Sequence, residues 1–391
     1  MRRIGLYLGF PPHGGGAFQY AQSVLHAVAA LPIDRYEVVV ACAHPAWAQH
    51  LAATPTLRRL DVAESLFDPA IRFVLRMGFP LGLWHRLAPH LHRLSRRLLR
   101  ERCDFWIFPA QDVLTWTLPA KTIGAIHDLM HRYERRFPEV SQRGLFERRE
   151  RHYRNLCARA SAVLVDSRIG KQQVVESYPV AADRVHVLPY VAPEYVFGEV
   201  PGDFDARYAL PARFIFYPAQ FWEHKNHVRL LQALASVRRS VPDLHLVLCG
   251  SPKNASAAVG SAIDELNLRD RVHVLGYVPD RDVVGFYRRA RALMMPTFFG
   301  PTNIPPLEAM ATGCAMAVSD IYAMPEQVGD AALLFDPTSV DQIADAMRRL
   351  ATDDALCARL AAAGRRRAAE WAQPQFDQRL SQIIESLYPV A

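Results

Sequence analysis

The sequence lacks a long apolar run, paired cysteines and, for a basic protein, lysine. It has no stretch of about 18 consecutive apolar residues, so no membrane-spanning helix is predicted. The six cysteines are scattered and no two form a CxxC pair, which argues against a disulfide framework or a zinc knuckle and favours a reducing compartment. Of the 46 basic residues only four are lysines: Lys121, Lys171, Lys225 and Lys253.

Two common nucleotide-binding signatures are also missing. No P-loop of the form GxxxxGK[ST] occurs. Gly14-Gly15-Gly16 follows the first predicted strand, but a dinucleotide fingerprint would need a glycine where Gln19 stands. The glycine run therefore predicts either a loop whose backbone approaches an anion at a helix N-terminus, or a tight turn.

The net charge of +7 is unevenly distributed. Residues 1–200 carry 26 Lys and Arg against 18 Asp and Glu, a net of +8, whereas residues 201–391 have a net of −1. Within the basic half, a helix predicted over Leu83–Cys103 has leucines at helical spacing and six arginines around them. It is either a helix that lies on an anionic membrane surface or an ordinary amphipathic helix. Nucleic acid is a poorer partner, because no aromatic-and-basic RNA module is present.

Short apolar strands alternate with helical patterns along most of the chain, which predicts an α/β protein with parallel sheets. Pro11-Pro12 interrupts the apolar start, so a buried first strand is expected rather than a signal peptide. The pattern pauses over Val191–Pro211 and then restarts. Two doubly wound domains are therefore predicted at 1–195 and 212–372, with a linker at 196–211 and a helical segment at 373–391 that packs back toward the N-terminal domain.

Lys225 lies in the loop predicted after the first strand of the second domain. The carboxyl ends of strands are where α/β sheets bind ligands, and a lysine there suits a phosphate. The alternative is a surface lysine on a solvated loop.

A second candidate segment begins where the strand predicted at Ala292–Pro296 ends. Thr302 and Asn303 can cap a following helix, Pro306 suits its first turn, and Glu308 is expected in that turn. Glu308 either complements the helix dipole or grips sugar hydroxyls beside backbone N–H groups that hold a phosphate.

His127-Asp128 ends a predicted strand of the first domain, where polar residues are placed for chemistry. His127 and His131 are four residues apart, but no HExxH motif or third ligand is evident, so no metal site is predicted.

Taken together, these motifs resemble the retaining glycosyltransferases of family 4, whose GT-B fold has two Rossmann-like doubly wound domains facing a central cleft. The most specific segment is Gly300–Gly313 (GPTNIPPLEAMATG), and Tyr217–Asn226 resembles the phosphate-binding segment of the family. Further matches are Gly15-Gly16, His127-Asp128, Asp166-Ser167, Leu248–Gly250, Val274–Val278, Ser319 and Pro325-Glu326.

The sequence departs from the family pattern at two positions. The family usually has two glutamates separated by seven residues; Glu308 matches the second, but Gly300 replaces the first, which normally contacts the donor sugar. The arginine usual five residues before the lysine is replaced by Gln220, which leaves Lys225 as the one cation expected at the diphosphate.

The resemblance implies sugar transfer from a nucleotide diphosphate donor with retention of configuration, without a cofactor or an essential metal. Three residues are then catalytic: Lys225 stabilises the leaving diphosphate, Glu308 holds ribose or sugar hydroxyls, and His127 orients the sugar. Asp128 is expected elsewhere in the cleft, toward the acceptor. The implied donor-binding residues are Gly15, Gly16, Gln220, Asn226, Gly250, Tyr277, Val278, Thr302, Asn303 and Ile304.

The segments around Lys225 and Asn303 resemble mannosyltransferases of bacterial surface-polysaccharide assembly, including that of lipopolysaccharide. GDP-mannose is therefore the expected donor, and a glycan or polyprenyl-linked molecule the acceptor. The protein is expected in the cytoplasm, at the inner face of the cytoplasmic membrane, held there by its basic N-terminal domain.

Two other classes of function remain open. One is a nucleotide-sugar epimerase or a phosphorylase of the same fold, although no inward acid–base carboxylates and no Schiff-base lysine are identified. The other is a non-catalytic scaffold that binds sugar or lipid, which the glycine at position 300 favours.

Overall fold

The computed structural model describes residues 1–12, 15–52, 54–63, 68–76 and 79–388. The chain divides into two compact units. The first comprises Met1–Leu129, Arg143–Tyr190 and Gln373–Ala391, and the second comprises Met130–Gln142 and Val191–Ala372. The chain therefore passes from one unit to the other more than once.

The first unit is built on a parallel sheet of seven described strands in the order β3-β2-β1-β4-β5-β6-β7. Its strands are β1 (Arg2–Leu8), β2 (Tyr36–Cys42), β3 (Arg58–Asp61), β4 (Phe105–Phe108), β5 (Thr122–Ile126), β6 (Ala162–Val165) and β7 (Val185–Val187). Residues of β4, β5 and β6 are all buried, as expected for strands covered by helices on both faces. The helices of this unit are Gly16–Ala29, Trp47–Leu51, Asp68–Arg76, Leu81–Leu91, Arg93–Arg100, Leu114–Thr117, Leu145–Arg159, Arg168–Ser177 and Gln373–Ser386.

The second unit has a parallel sheet of six described strands in the order β10-β9-β8-β11-β12-β13. Its strands are β8 (Phe214–Pro218), β9 (His245–Cys249), β10 (Val272–Val274), β11 (Ala292–Met295), β12 (Met316–Ser319) and β13 (Leu333–Phe335). The helices are Met130–Tyr133, Pro138–Ser141, Phe204–Tyr208, His227–Val237, Ser256–Glu265, Asp280–Arg289, Ile304–Thr312, Met324–Val328, Val340–Thr352 and Asp354–Glu370. The strand order is that of a Rossmann-like doubly wound sheet, and it reverses between β8 and β11.

Both sheets confirm the predicted fold class, α/β with two Rossmann-like domains. Two strands were missed, β3 and β13, and both lie at an edge of their sheet. Only Leu60 of β3 is buried, and only Phe335 of β13. A strand with a single buried residue has no apolar pattern by which it could be recognised.

The single helix predicted over Leu83–Cys103 is wrong, because two helices occupy that stretch. Pro89 lies near the end of the first, and His92 between them has an extended backbone with φ −100° and ψ 106°. In the second helix, Arg93–Arg100, Leu94 and Leu98 are buried while its arginines are exposed. This helix is an amphipathic surface helix whose leucines belong to the core of the first unit.

Residues 196–211, predicted as a linker, are instead part of the second unit. Phe204 is fully buried and packs edge-on against Phe286 at a centroid distance of 4.9 Å. Arg207 forms an ion pair with the buried Asp282 at 2.6 Å. The side chains of this stretch are therefore packed against the rest of the second unit.

The segment Gln373–Ser386, predicted to return toward the N-terminal domain, is a helix of the first unit. Phe376, Leu380, Ile383 and Ile384 are buried along one of its faces. Phe376 contacts Tyr20 of the helix Gly16–Ala29 at a ring distance of 5.8 Å. No helix in the described ranges is both long enough and apolar enough to cross a membrane.

Candidate functional site

The reversal of strand order between β8 and β11 places two loops side by side in the second unit. The loop after β8 contains Lys225, and the loop after β11 contains Asn303. In an open α/β sheet the crevice at such a reversal, beyond the carboxyl ends of the strands, is where ligands bind.

Lys225 ends a single 3₁₀ turn, Glu223–Lys225, and its backbone is held on both sides. Its N–H donates to the carbonyl of Trp222 at 3.0 Å, and its carbonyl accepts a hydrogen bond from the buried Tyr217 hydroxyl at 2.9 Å. Its side chain is half-buried, and Nζ donates to Oδ1 of Asn303 at 3.3 Å. The structure thus brings together a predicted catalytic residue, Lys225, and a predicted donor-binding residue, Asn303, that lie far apart in the sequence.

Asn226, the next residue, is a predicted donor-binding residue whose side chain is held within the protein. It is buried, adopts φ 61°, and its Nδ2 donates to the carbonyls of Pro296 and Pro337 at 2.9 and 2.8 Å. Both amide protons are therefore committed within the protein. Asn226 thus ties the Lys225 turn to the loops after β11 and β13, and its predicted part in donor binding stays a prediction.

Gln220 and Gly250 lie beside each other at the carboxyl ends of β8 and β9. Gln220 is exposed, and its Oε1 accepts a hydrogen bond from Nε1 of Trp222 at 2.9 Å. At Gly250 an added Cβ would lie 2.3 Å from the Ala219 carbonyl oxygen, so no larger residue fits without moving the backbone. Gly250 therefore allows the ends of the two strands to approach closely, and its predicted part in donor binding stays a prediction.

The helix Ile304–Thr312 begins after Asn303, but not with the side-chain cap that was expected. Asn303 Nδ2 donates to the Phe299 carbonyl at 3.2 Å instead of capping the helix, and the Asn303 N–H donates to Oε1 of Gln327 at 3.0 Å. Ile304 follows, and the next two residues, Pro305 and Pro306, have no N–H. Ile304 therefore carries the first N–H of the helix itself, a position whose N–H has no acceptor within the helix.

Thr302, the residue before Asn303, is half-buried in the same loop. This predicted donor-binding residue therefore lies next to the Lys225–Asn303 contact. Its role stays a prediction.

Glu308 was expected in the first turn of its helix, but it lies one turn further in. It is 4% exposed. Its carboxylate accepts hydrogen bonds from the hydroxyls of Tyr195 and, at 2.6 Å, Tyr287. Burial raises the pKa of Glu308, and these two hydrogen bonds oppose that rise. A carboxylate can accept further hydrogen bonds, so a sugar hydroxyl that reached it would join two tyrosines already bound there.

Gly300 occupies the position of the missing glutamate, and its backbone explains the glycine. It has φ 96°, a conformation that residues with a side chain rarely adopt. An added Cβ would lie 2.9 Å from both Asn303 Nδ2 and the Thr302 carbonyl oxygen. A glutamate would not fit this loop without moving Asn303, the residue that contacts Lys225.

Tyr277 and Val278 follow β10 in the loop that was predicted to hold the base. Tyr277 is 71% exposed, whereas Val278 is buried. The tyrosine ring is therefore the part of this segment that is available to a ligand. The Gly276 carbonyl accepts a hydrogen bond from the N–H of Gly250 at 2.7 Å, which fixes this loop to the end of β9.

In the first unit, His127 follows β5, and both of its ring nitrogens are bonded. Nε2 is 2.9 Å from the Pro109 carbonyl, and Nδ1 is 2.7 Å from the Tyr190 hydroxyl. Because a carbonyl can only accept, Nε2 carries the proton and Nδ1 accepts from Tyr190. Burial lowers the pKa of His127, so the ring is neutral and held by its surroundings. A ring held in this way is suited to orienting the sugar. To take up or release a proton during the reaction, His127 would first have to break one of these two hydrogen bonds.

Asp128 and the glycine loop complete the predicted residues of the first unit. Asp128 forms an ion pair with Arg149 on the helix Leu145–Arg159, which also donates to the Tyr153 hydroxyl at 3.2 Å. Gly15 has φ 60° and precedes the helix that starts at Gly16; both glycines are exposed, and the space around the Cβ position of Gly15 is open. Gly14, the first glycine of the run, lies outside the described residues.

Four residues near these sites were not predicted. Tyr195 and Tyr287 donate to Glu308, and Glu139 accepts a hydrogen bond from Nδ1 of His224, the residue before Lys225, at 2.5 Å. Tyr195 lies beside the expected linker and Tyr287 on a helix with an ordinary amphipathic pattern, so neither had a local signal. His224 adjoins Lys225 and could have been chosen for that reason. Glu139 lies some 85 residues away from it along the chain.

Comparison with known proteins finds a family to which part of the second unit is similar. Residues 205–367 match the family described as "Glycosyl transferases group 1". This segment of the second unit is therefore similar to that family, and Lys225, Asn303 and Glu308 lie inside the matched range.

Relatives and solved structures extend the similarity. The serotype-specific mannosyltransferase WbdA of Escherichia coli is 25% identical over 248 residues, which cover 61% of this chain and 30% of WbdA. The O-antigen chain mannosyltransferase B of Escherichia coli is 40% identical over 83 residues, 21% of this chain and 22% of that protein. The chain spans less than a third of the length of these curated relatives.

HepE of Anabaena, solved in complex with UDP and glucose, has a TM-score of 0.74 and 17% sequence identity, and the match covers 99% of this chain and 100% of HepE. The GT-B fold predicted from the sequence is confirmed. So is the resemblance to glycosyltransferases and to bacterial mannosyltransferases.

Proposed function

We propose that this protein is a retaining glycosyltransferase of bacterial polysaccharide biosynthesis that takes a sugar from a nucleotide diphosphate donor. The observation that carries the proposal is the contact between Lys225 and Asn303 at the strand-order reversal of the second unit, inside the segment similar to glycosyl transferases group 1. A cation at this point of the sheet suits the diphosphate of the donor.

In the proposed reaction the bond between the sugar and the diphosphate breaks, the sugar forms a bond to a hydroxyl oxygen of the acceptor, and the proton of that hydroxyl passes to the departing diphosphate. Negative charge grows on the leaving oxygen as the first bond breaks. The Lys225 ammonium and the Ile304 N–H stabilise that charge, with no essential metal or cofactor. Gly250 lets the backbone approach the nucleotide, and the exposed ring of Tyr277 is available to stack on the base. The Glu308 carboxylate accepts hydrogen bonds from ribose or sugar hydroxyls. Gly15-Gly16 and His127, of the first unit, take part in binding the donor.

The proposed donor is GDP-mannose, and mannose is the sugar transferred, because WbdA and mannosyltransferase B are both described as mannosyltransferases. A glycan or polyprenyl-linked molecule is the proposed acceptor. The decisive experiment incubates the protein with a panel of nucleotide sugars and measures the free nucleoside diphosphate, with Lys225→Ala as the inactive control. Release from GDP-mannose alone supports the donor assignment, and release from another donor corrects it.

Addition of a chelator in the same assay tests the role given to Lys225. Turnover that survives the chelator supports a metal-independent site. A divalent cation that restores lost turnover would show that a metal stabilises the leaving group.

A non-catalytic sugar-binding scaffold is the second candidate, and two observations favour it. Gly300 replaces a glutamate in a loop that has no room for one, and both oxygens of Glu308 are bonded to tyrosines. A scaffold would bind a nucleotide sugar in calorimetry and release no diphosphate. An epimerase would convert the donor sugar without release, and a phosphorylase would require inorganic phosphate.

We also propose that the first unit binds the anionic inner face of the cytoplasmic membrane. The helix Arg93–Arg100 supports this, because its arginines are exposed on the surface while Leu94 and Leu98 are buried. Since the leucines are in the core, attraction to the membrane would come from charge rather than from insertion.

A further inference from the structure

A segment from the first half of the sequence, Met130–Gln142, belongs to the second unit, and we call it the strap. It consists of two short helices, Met130–Tyr133 and Pro138–Ser141. Three of its apolar side chains, Met130, Phe137 and Val140, form one buried cluster with Phe298 and Phe299. The strap is therefore packed on the loop that follows β11, at the two residues that directly precede Gly300.

Glu139, in the second helix of the strap, ties two further loops together. Its Oε1 accepts hydrogen bonds from the backbone N–H and from Nδ1 of His224, at 3.1 and 2.5 Å. Its Oε2 accepts from Nδ2 of Asn254 at 2.9 Å, and Asn254 Oδ1 in turn accepts from the N–H of Glu223. The carboxylate thus holds the turn that contains Lys225 from two directions.

The Glu139–His224 pair is withdrawn from solvent, with 5% and 9% of the two side chains exposed. Burial alone would raise the pKa of Glu139, but the hydrogen bonds from His224 and Asn254 outweigh it and lower that pKa to about 2. Glu139 is therefore an anion at neutral pH, and its hydrogen bonds are charge-assisted.

His224 also contacts the loop that follows β11. Its carbonyl accepts a hydrogen bond from the N–H of Phe298 at 2.8 Å, and its ring lies 4.1 Å from the ring of Phe299. Its N–H, side chain and carbonyl are all used to join the strap, the Lys225 turn and the loop after β11. The residue that follows it is Lys225.

We propose that Glu139 is a positioning residue that, through His224, holds Lys225 where its ammonium meets the diphosphate of the donor. The inference deepens the proposed function and rests on Lys225 acting there. It assigns to the strap a part in the donor site that its place in the sequence does not suggest.

Glu139→Gln tests the charge and geometry of this carboxylate with little change in volume. If the new carbonyl faces His224, the new NH₂ faces the Asn254 amide, donor against donor. If Asn254 turns over to accept, it no longer accepts from the N–H of Glu223. Either arrangement loosens the turn that ends at Lys225.

Glu134→Gln is the matched control. Glu134 lies on the same strap and accepts a hydrogen bond from the Tyr322 hydroxyl at 2.7 Å, and it also pairs with the exposed Arg136. It has no part in the Lys225 turn. We expect Glu139→Gln to lower turnover and the affinity for GDP and UDP by about tenfold, roughly 1.4 kcal/mol, and Glu134→Gln to stay within about twofold of wild type.

The double variant with Lys225→Ala separates positioning from general stabilisation. If Glu139 acts through Lys225, Glu139→Gln has no further effect on turnover once Lys225 is alanine. An equal loss in both backgrounds, or equal behaviour of the two glutamine variants, would overturn the inference. Wild-type turnover of Lys225→Ala would instead refute the proposed function. If Glu139→Gln does not fold, Asn254→Ala, at an exposed position, removes the Oε2 contact and the acceptor of the Glu223 N–H while leaving the Glu139–His224 pair in place, and it is judged by the same criteria.

Discussion

Restoring the glutamate that Gly300 replaces should damage this protein rather than improve it. Any side chain at φ 96° costs about 1–3 kcal/mol in backbone strain. The Cβ would also lie 2.9 Å from Asn303 Nδ2 and the Thr302 carbonyl oxygen, and crowding of this kind typically costs about 1–3 kcal/mol. We expect Gly300→Ala and Gly300→Glu to destabilise the second unit by about 2–6 kcal/mol and to lower turnover, because Asn303 must move away from Lys225.

Gly276→Ala is the matched control for that prediction. Gly276 also has positive φ, 70°, but an added Cβ there meets no atom within 4 Å. Gly276→Ala should therefore lower the free energy of unfolding only by the backbone strain, about 1–2 kcal/mol. Since each kcal/mol shifts the melting temperature of a domain of this size by about 2–4 °C, calorimetric scans resolve the difference. A Gly300→Glu variant as stable as wild type, or more active, would refute the reasoning.

Three further changes test the remaining assignments. Lys225→Ala should lower turnover by about a hundredfold, a typical cost of removing one group that stabilises transition-state charge, and Lys225→Arg should recover only part of it. Glu308→Gln should lower turnover at least tenfold, about 1.4 kcal/mol of transition-state stabilisation; a folded variant with wild-type turnover would show that the carboxylate serves the two tyrosines alone. Arg96→Glu/Arg97→Glu should reduce co-sedimentation with anionic vesicles, which should also weaken with salt; equal binding to neutral vesicles would contradict that mechanism.

The controls for these variants lie on the surface of the second unit. Lys253 is exposed, as expected for a lysine on a solvated loop, with Nζ 5.2 Å from the centre of the Trp222 ring. Lys253→Ala should therefore be nearly silent, and if it matches Lys225→Ala the diphosphate is misplaced. Arg238→Glu/Arg239→Glu makes the same charge change at exposed positions outside the first unit and should leave vesicle binding intact.

Sequence patterns predicted the interior of both sheets because buried parallel strands leave continuous apolar runs. Phe214–Pro218 was predicted with its observed bounds, whereas Arg58–Asp61 was missed because three of its four residues are exposed. Lys225 and Asn303 were both chosen from local motifs, and the strand order explains why they meet. The tyrosines bound to Glu308 could not be chosen in the same way, because pairing across such separations is decided by tertiary packing.

Asn226 and Glu139 show two other limits of the sequence. Asn226 lies next to Lys225 and was predicted to bind the donor. In the structure its side-chain amide donates to two backbone carbonyls of the protein. Glu139 precedes no motif, and only the crossing of the strap into the second unit brings it to the Lys225 turn. A one-dimensional pattern identifies which element a residue is in, but not which neighbour its side chain meets.

The helix Gln373–Ser386 affects the order in which the protein can fold during synthesis. It covers Tyr20 and supplies a row of buried apolar residues to the first unit, although it is translated after the whole of the second. Until it leaves the ribosome, the face of Gly16–Ala29 that it covers is exposed to other nascent chains and to chaperones. The unit whose first strand is translated earliest is therefore completed last.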